Sequence, residues 1–194
     1  MNIQLPTIWN TGWVEVICGS MFSGKTEELI RRIKRAEIAK IKLQIFKPLL
    51  DTRYSVDHVT SHSSLSATAR AIQNPEDILG FLEDNTRIVA IDEAQFFPNS
   101  VVEISHRLAN RGLRVIIAGL DLDYRGIPFG PMPNLMATAE YVTKMSAICM
   151  VCGNAASRTQ RLHFKPQGDS KEQVLVGAQE VYEARCRRCF EAPT

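Results

Sequence analysis

Short apolar runs recur along the chain and are separated by longer stretches with helical spacing. Residues 14–18, 43–46, 87–91 and 115–118 read as strands, and residues 27–40, 76–82 and 101–110 as helices. The runs Ile88-Val89-Ala90-Ile91 and Val115-Ile116-Ile117-Ala118 have no polar alternation. A strand can dispense with a polar face only when both its sides are buried, as in a parallel sheet covered by helices. The third helix stops at Arg111-Gly112, a suitable C-terminal signal. From Tyr124 to Pro133 the texture turns Gly/Pro-rich, and a further short helix is expected over 135–141. From Cys149 onward the chain reads as a loop-rich module, with a long loop over 163–173 that contains Pro166, Gly168 and Asp169. The pattern predicts an α/β domain over 1–144 and a small second domain over 145–194.

Composition narrows the function classes. The chain has 194 residues and a formal net charge of +2, from 23 Lys+Arg against 21 Asp+Glu. That balance gives no case for a nucleic-acid partner. The basic cluster Arg31, Arg32, Lys34 and Arg35 shares its helix with Glu27, Glu28 and Glu37, as a solvated face does. No apolar run is long enough to span a membrane, and residues 1–10 lack a signal-peptide layout. Five cysteines, four of them in two C-x-x-C pairs, suit metal thiolates in a reducing compartment, so a cytoplasmic location is expected.

The most specific chemistry lies in Gly19-Ser20-Met21-Phe22-Ser23-Gly24-Lys25-Thr26, a complete G-x-x-x-x-G-K-[ST] phosphate loop between an expected strand and an expected helix. Average composition would produce this pattern by accident in a chain of this length on the order of 1% of the time. Backbone N–H groups and the helix N-terminus would cup the ATP phosphates. Lys25 would reach the β- and γ-phosphates and the Thr26 hydroxyl would ligate Mg²⁺. Asp92-Glu93-Ala94-Gln95 follows a buried strand and reads as the second ATP/Mg²⁺-binding segment, with Asp92 near Mg²⁺ and Glu93 in the same crevice at the carboxyl end of the sheet. Cys149, Cys152, Cys186 and Cys189 offer four thiolates, right for a structural Zn²⁺ with no open coordination position. Cys18 belongs with the core, and His58, His62, His106 and His163 have no ligand spacing.

Four elements in this order carry a family resemblance. They are the phosphate loop; Asp92-Glu93-Ala94-Gln95-Phe96; Asp121-Leu122-Asp123-Tyr124-Arg125-Gly126; and the cysteine quartet closing on Val176-Gly177-Ala178-Gln179-Glu180-Val181-Tyr182. Together they resemble the cellular-type (class II) thymidine kinase family, from about Trp13 to Cys189. The resemblance implies a RecA-like P-loop fold with a C-terminal zinc-binding lasso, and transfer of the ATP γ-phosphate to the thymidine 5′-hydroxyl. By position it makes Glu93 the proton acceptor and puts Arg53 and Arg161, with Lys25, near the phosphates. Met21, Phe96, Leu120, Tyr124, Phe129 and Tyr182 match pocket-lining positions, and Gln173, Val174, Leu175, Val176 and Gly177 match the lasso that reads the thymine edge. Ala178 stands where many members carry glycine. The resemblance further implies a homotetramer and dTTP as feedback inhibitor.

Other readings stand beside it. Phe96, Leu120 and Phe129 would be core residues in most sequences, Tyr124 and Tyr182 ordinary surface residues, and Arg53 a partner of Asp51 or Asp57. Asp92-Glu93-Ala94-Gln95 also echoes the Asp-Glu-Ala-x box of nucleic-acid-dependent ATPases, though those need two such domains and a basic track. A third reading is a zinc-ribbon binding module that holds nucleotide without transferring phosphate.

Overall fold

The computed structural model describes residues 11–49, 58–60, 66–162 and 181–192. Six strands form one sheet: β1 (Trp13–Gly19), β2 (Leu43–Pro48), β5 (Arg70–Ile72), β6 (Ile88–Ile91), β7 (Arg114–Leu120) and β8 (Tyr141–Met145). Their spatial order is β5-β2-β6-β7-β1-β8, and every pairing is parallel. Between β2 and β5, the short strands β3 (His58–Thr60) and β4 (Ser66–Thr68) pair antiparallel.

The missing alternation in the strands is explained by what covers them. Val14, Val16, Cys18, Val89, Ile91, Val115 and Ile117 face α3 (Ser100–Asn110) and α4 (Met132–Thr138), which contribute Val101, Ile104, Leu108, Met132 and Leu135. The intervening residues Ile17, Ile88, Ala90, Ile116 and Ala118 face α1 (Lys25–Ile38), which buries Leu29, Ile30, Ile33 and Ala36. β1, β6 and β7 are therefore covered on both faces and apolar at nearly every position, whereas the edge strand β8 is largely exposed. α2 (Asp77–Phe81) adds Ile78 to the first of these cores.

Glu15 is the exception within β1, a carboxylate 6% exposed in an apolar strand. Trp13 Nε1 and Arg114 Nε each donate to its Oε1 at 2.6 Å, and Arg32 Nη1 donates to Oε2 at 2.6 Å. A buried charge is tolerated when its lone pairs are met this fully.

The expected helix over 135–141 needs correction. α4 starts earlier, at Met132, behind Pro131, and ends at Thr138, and Tyr141 opens the edge strand β8. Proline just before and within the first turn costs the helix no hydrogen bond. Tyr141-Val142-Thr143 are aromatic and β-branched residues that fit a strand, and β1 offers them a free edge in the register Glu15 to Tyr141.

A small lobe follows, built from two antiparallel pairs. β9 (Ala147–Ile148) pairs with β10 (Ala155–Ala156), and β11 (Arg158–Arg161) with β12 (Tyr182–Arg185). Its core consists of Ala147, Cys149, Ala156, Ala184 and Cys186, with Phe22 of the phosphate loop packed against them.

Candidate active site

Because the sheet is parallel, the carboxyl ends of β6, β7 and β1 open on one side. Asp92, Asp121 and the phosphate loop follow those three adjacent strands. The loop backbone is one that most side chains would resist. Gly24 has φ +82°, Phe22 has φ +63°, and a Cβ at Gly19 would lie 2.8 Å from Ser23 Oγ. Gly24 is the N-cap of α1 and provides no side-chain cap. The first-turn N–H groups are thus left for an incoming anion. The Ser23 hydroxyl is buried and has no hydrogen-bond partner among the described residues, as a cradle shaped for a polar guest would leave it.

Lys25 Nζ donates to Ser20 O at 2.8 Å across the loop. Burial, the largest influence, pulls the Lys25 pKa below the ordinary lysine range, against the opposing charges of Glu93, Asp92 and Asp121. Three carboxylates thus act on one ammonium, and a polyphosphate arriving at the loop would strengthen its charged form. Asp121 is 4% exposed, and Lys144 Nζ of β8 lies 2.8 Å from its Oδ2. Cys18, beneath them in β1, has its thiol pushed up to about 11, first by burial and then by Asp121, so it stays protonated.

Asp92 and Glu93 follow β6 directly. Asp92 Oδ1 accepts the Glu93 N–H at 2.9 Å, and Glu93 takes φ 52°, ψ 37°. The left-handed region costs a residue with a Cβ about 1–2 kcal/mol and is most often retained at functional positions. The turn leads into a 3₁₀ segment, Ala94–Phe96, in which Ala94 and Gln95 are buried.

Beside the loop, a narrow cavity is lined by Met21, Leu120, Tyr124, Phe129, Thr159 and Tyr182. Phe96 meets Phe129 edge to face, with ring centroids 5.6 Å apart. The structure therefore brings together all six residues matched to the pocket, five around the cavity and Phe96 behind it. Tyr182, at 3% exposure, is not a surface residue. Tyr124 is presented by a tight turn organised by Asp123, whose Oδ1 accepts the N–H groups of Arg125 at 2.9 Å and Ile127 at 3.0 Å. The Arg161 guanidinium lies 5.3 Å from the Tyr124 ring centroid. Arg53 and residues 173–177 lie outside the described residues.

The lobe reaches the loop directly. The Met21 N–H donates to Thr159 Oγ1 at 3.1 Å, and the Ser20 hydroxyl to Ala156 O at 3.3 Å. Sequence reasoning assigned nothing to Thr159, Asp121 or Lys144. The aspartate stood inside a quoted motif, whereas Thr159 carried no local signal.

Cys149, Cys152, Cys186 and Cys189 converge, with all four Sγ atoms within 4.8 Å of one another. Cys152 Sγ and Cys186 Sγ are 3.6 Å apart. Tetrahedral zinc at about 2.3 Å from each sulfur sets sulfur separations of about 3.8 Å, so the quartet fits the ion. Each knuckle closes on its first cysteine, with Gly153 N donating to Cys149 O at 2.9 Å and Cys189 N to Cys186 O at 3.1 Å. Burial raises the Cys149 thiol, but backbone groups at Cys186, Val151 and Cys152 bring it down to about 6, while hydrogen bonding with Cys152 leads in pushing Cys189 up to about 12. Four thiols this close ionise together only against a cation, and this cluster can hold zinc.

A parallel sheet with a phosphate loop after β1 and an acidic pair after β6 defines a P-loop nucleotide-binding α/β protein. A genome packaging NTPase, B204 of Sulfolobus turreted icosahedral virus 2, solved in complex with ATP-gammaS, is similar at 18% identity and a TM-score of 0.43, over 69% of this chain and 74% of that one. The family model described as thymidine kinase matches residues 12–190. The chain belongs to the thymidine kinase family, and as such is a nucleoside kinase, a transferase.

Proposed function

We propose that the protein transfers the γ-phosphate of ATP to the 5′-hydroxyl of thymidine, giving dTMP and ADP, as pyrimidine deoxynucleoside salvage requires. Family membership supports ATP-dependent thymidine phosphorylation. The observation that carries the reading to this chain is one juxtaposition. The carboxylates after β6 sit within electrostatic reach of Lys25 in the phosphate loop, and the aromatic cavity opens beside Met21 of the same loop.

In this reading the loop, residues 19–26, cups the polyphosphate with its N–H groups, and Lys25 counters charge on the transferring group. Thr26 and Asp92 are the residues that would hold Mg²⁺, which screens polyphosphate charge. Glu93 takes the proton from the 5′-hydroxyl as its oxygen attacks the γ-phosphorus, and ADP leaves in line. Arg161 and Arg53 supply further positive charge near the phosphates. Met21, Phe96, Leu120, Tyr124, Phe129 and Tyr182 enclose the nucleoside, while residues 173–177 pair with the thymine edge through main-chain groups. In the division at 144/145, the second domain then adds Tyr182 and the lasso to a nucleoside pocket begun by the first, with structural zinc pinning the base of the lasso.

A homotetramer, feedback by dTTP in the substrate site and a cytoplasmic location complete the proposal and rest on the family resemblance and cysteine usage. No described helix is long and apolar enough to cross a membrane. The test is a nucleoside screen for ATP-dependent ADP release. Thymidine should give the strongest signal, and no release with any nucleoside would sink the proposal.

A further inference from the structure

The Gln95 side chain spans the gap between Glu93 and the end of β7. Its Nε2 donates to Glu93 Oε2, and its Oε1 accepts the Leu120 backbone N–H at 3.0 Å. The polarity of this bridge is dictated by its ends. A backbone N–H can only donate and a carboxylate can only accept, so the linking side chain needs an acceptor at one end and a donor at the other. An amide meets both demands, and at this span the amide is glutamine.

The surroundings are built to hold it. Gln95 is 3% exposed, and both its polar ends are occupied. A Cβ at Gly119 would lie 2.8 Å from Gln95 Oε1 and 2.7 Å from Met132 Sδ, so β7 leaves out a side chain where the amide lies. Asp92 holds the Glu93 backbone and Gln95 holds its carboxylate. One Glu93 oxygen is occupied, and among the described residues no hydrogen bond reaches Oε1, the oxygen placed to take a proton.

We propose that Gln95 is a positioning residue, holding the Glu93 carboxylate in a single orientation with Oε1 available to the attacking hydroxyl. This rests on the reading of Glu93 as proton acceptor. Gln95 does not touch the reacting atoms and acts through Glu93.

Three variants test it, alongside Glu93→Gln. Gln95→Met keeps length and loses both bonds. Its kcat should fall roughly 10- to 100-fold, as misplaced catalytic groups do, with KM for ATP and thymidine within about threefold. Gln95→Glu keeps an acceptor for the Leu120 N–H but turns a second carboxylate toward Glu93. Repulsion between the two carboxylates displaces Glu93, so kcat of Gln95→Glu should fall at least as far as that of Gln95→Met, with both KM values again within about threefold.

The double variant Glu93→Gln/Gln95→Met should be within about twofold of Glu93→Gln alone, because a residue acting through another adds nothing once that other is gone. Wild-type kcat for Gln95→Glu, or full multiplication of the two losses in the double variant, would overturn the proposal. Should Gln95→Met fail to fold, the kcat and KM of Gln95→Glu decide. Glu93→Gln with normal kcat would instead remove the base assignment itself, an outcome distinct from failure of the Gln95 role alone.

Discussion

The backbone N–H of Met21 donates to the Thr159 hydroxyl over 3.1 Å, joining the phosphate loop to a strand of the small lobe 138 positions away. With Phe22 packed on the lobe core, the loop is held from outside as well as by its own glycines. Thr159→Val keeps the shape and removes the acceptor. A neutral hydrogen bond contributes about 0.5–1.5 kcal/mol, so the ATP dissociation constant should rise roughly two- to tenfold by calorimetry. Unchanged affinity would mean that the bond does not shape the loop.

Metal removal should be felt at the same place. One Zn²⁺ per chain should co-purify, and Cys149→Ser or strong chelation should weaken thymidine and ATP binding together, since Ser20, Met21 and Phe22 all lean on the lobe. The main sheet has its own two cores and should keep its cooperative melt. Elemental analysis tests the first expectation and titration calorimetry the second. Zinc-free protein with full activity would refute both.

Much of this was legible in the chain. Consecutive apolar residues in β6 and β7 announced strands covered on both faces, and the spacing of Leu29, Ile30, Ile33 and Ala36 announced the helix that covers one of them. The loop, the acidic pair and the cysteines carried their own spacing. β5 escaped because three residues cannot show a period, and β8 because its strand character is realised only beside β1. Gln95 lay in a quoted motif, yet its role as a bridge depends on the Leu120 N–H, 25 positions away.

Glu93→Gln should lower kcat by about 10²–10⁴ with ATP affinity nearly unchanged, the usual range for removing a general base. Lys25→Ala should cost more, because it removes charge facing the transferring group and a cation that acts on Asp92, Glu93 and Asp121. Steady-state kinetics with both substrates varied would distinguish the two. A Lys25→Ala protein faster than Glu93→Gln would contradict the assigned roles.

Acid should loosen the ion-pair network that ties α1 to β1 through Glu28, Arg32 and Glu15. The Glu28 carboxyl is drawn down to about 2, first by its hydrogen bond with Arg31, and Glu15 is also lowered, burial being outweighed by Arg114, Trp13 and Arg32. Folded pKa values below the unfolded ones mean that this stabilisation is present above the ordinary carboxylate range near 4.5 and is lost as pH falls toward 2. Glu28→Gln should cost about 0.2–1 kcal/mol at pH 6, since Arg31 is exposed. Glu15→Ala, which strands two arginines, should cost on the order of 2–4 kcal/mol. Urea unfolding at pH 6 and pH 3 reads both, and each variant should lose less stability than wild type between the two.

Base choice provides the last expectation. Thymine presents an N3–H donor and an O4 acceptor where cytosine presents the reverse. A site that reads this edge with main-chain groups should reject deoxycytidine by about 10⁴–10⁵ in kcat/KM, while deoxyuridine, which lacks one methyl, loses only about 1–3 kcal/mol. Comparable kcat/KM for thymidine and deoxycytidine would rule out that mode of recognition.

The position of β1 sets the order in which the molecule can be completed. β1 lies between β7 and β8, pairing Trp13 with Arg114 and Glu15 with Tyr141. During synthesis β1 therefore waits for partners about a hundred residues behind it, with both hydrogen-bonding edges open. The phosphate loop that β1 carries is made well before β7, β8 and the small lobe, and so acquires its native neighbours late. Chains stalled before β7 should aggregate readily, and their rescue should depend on chaperones that shield an unpaired strand.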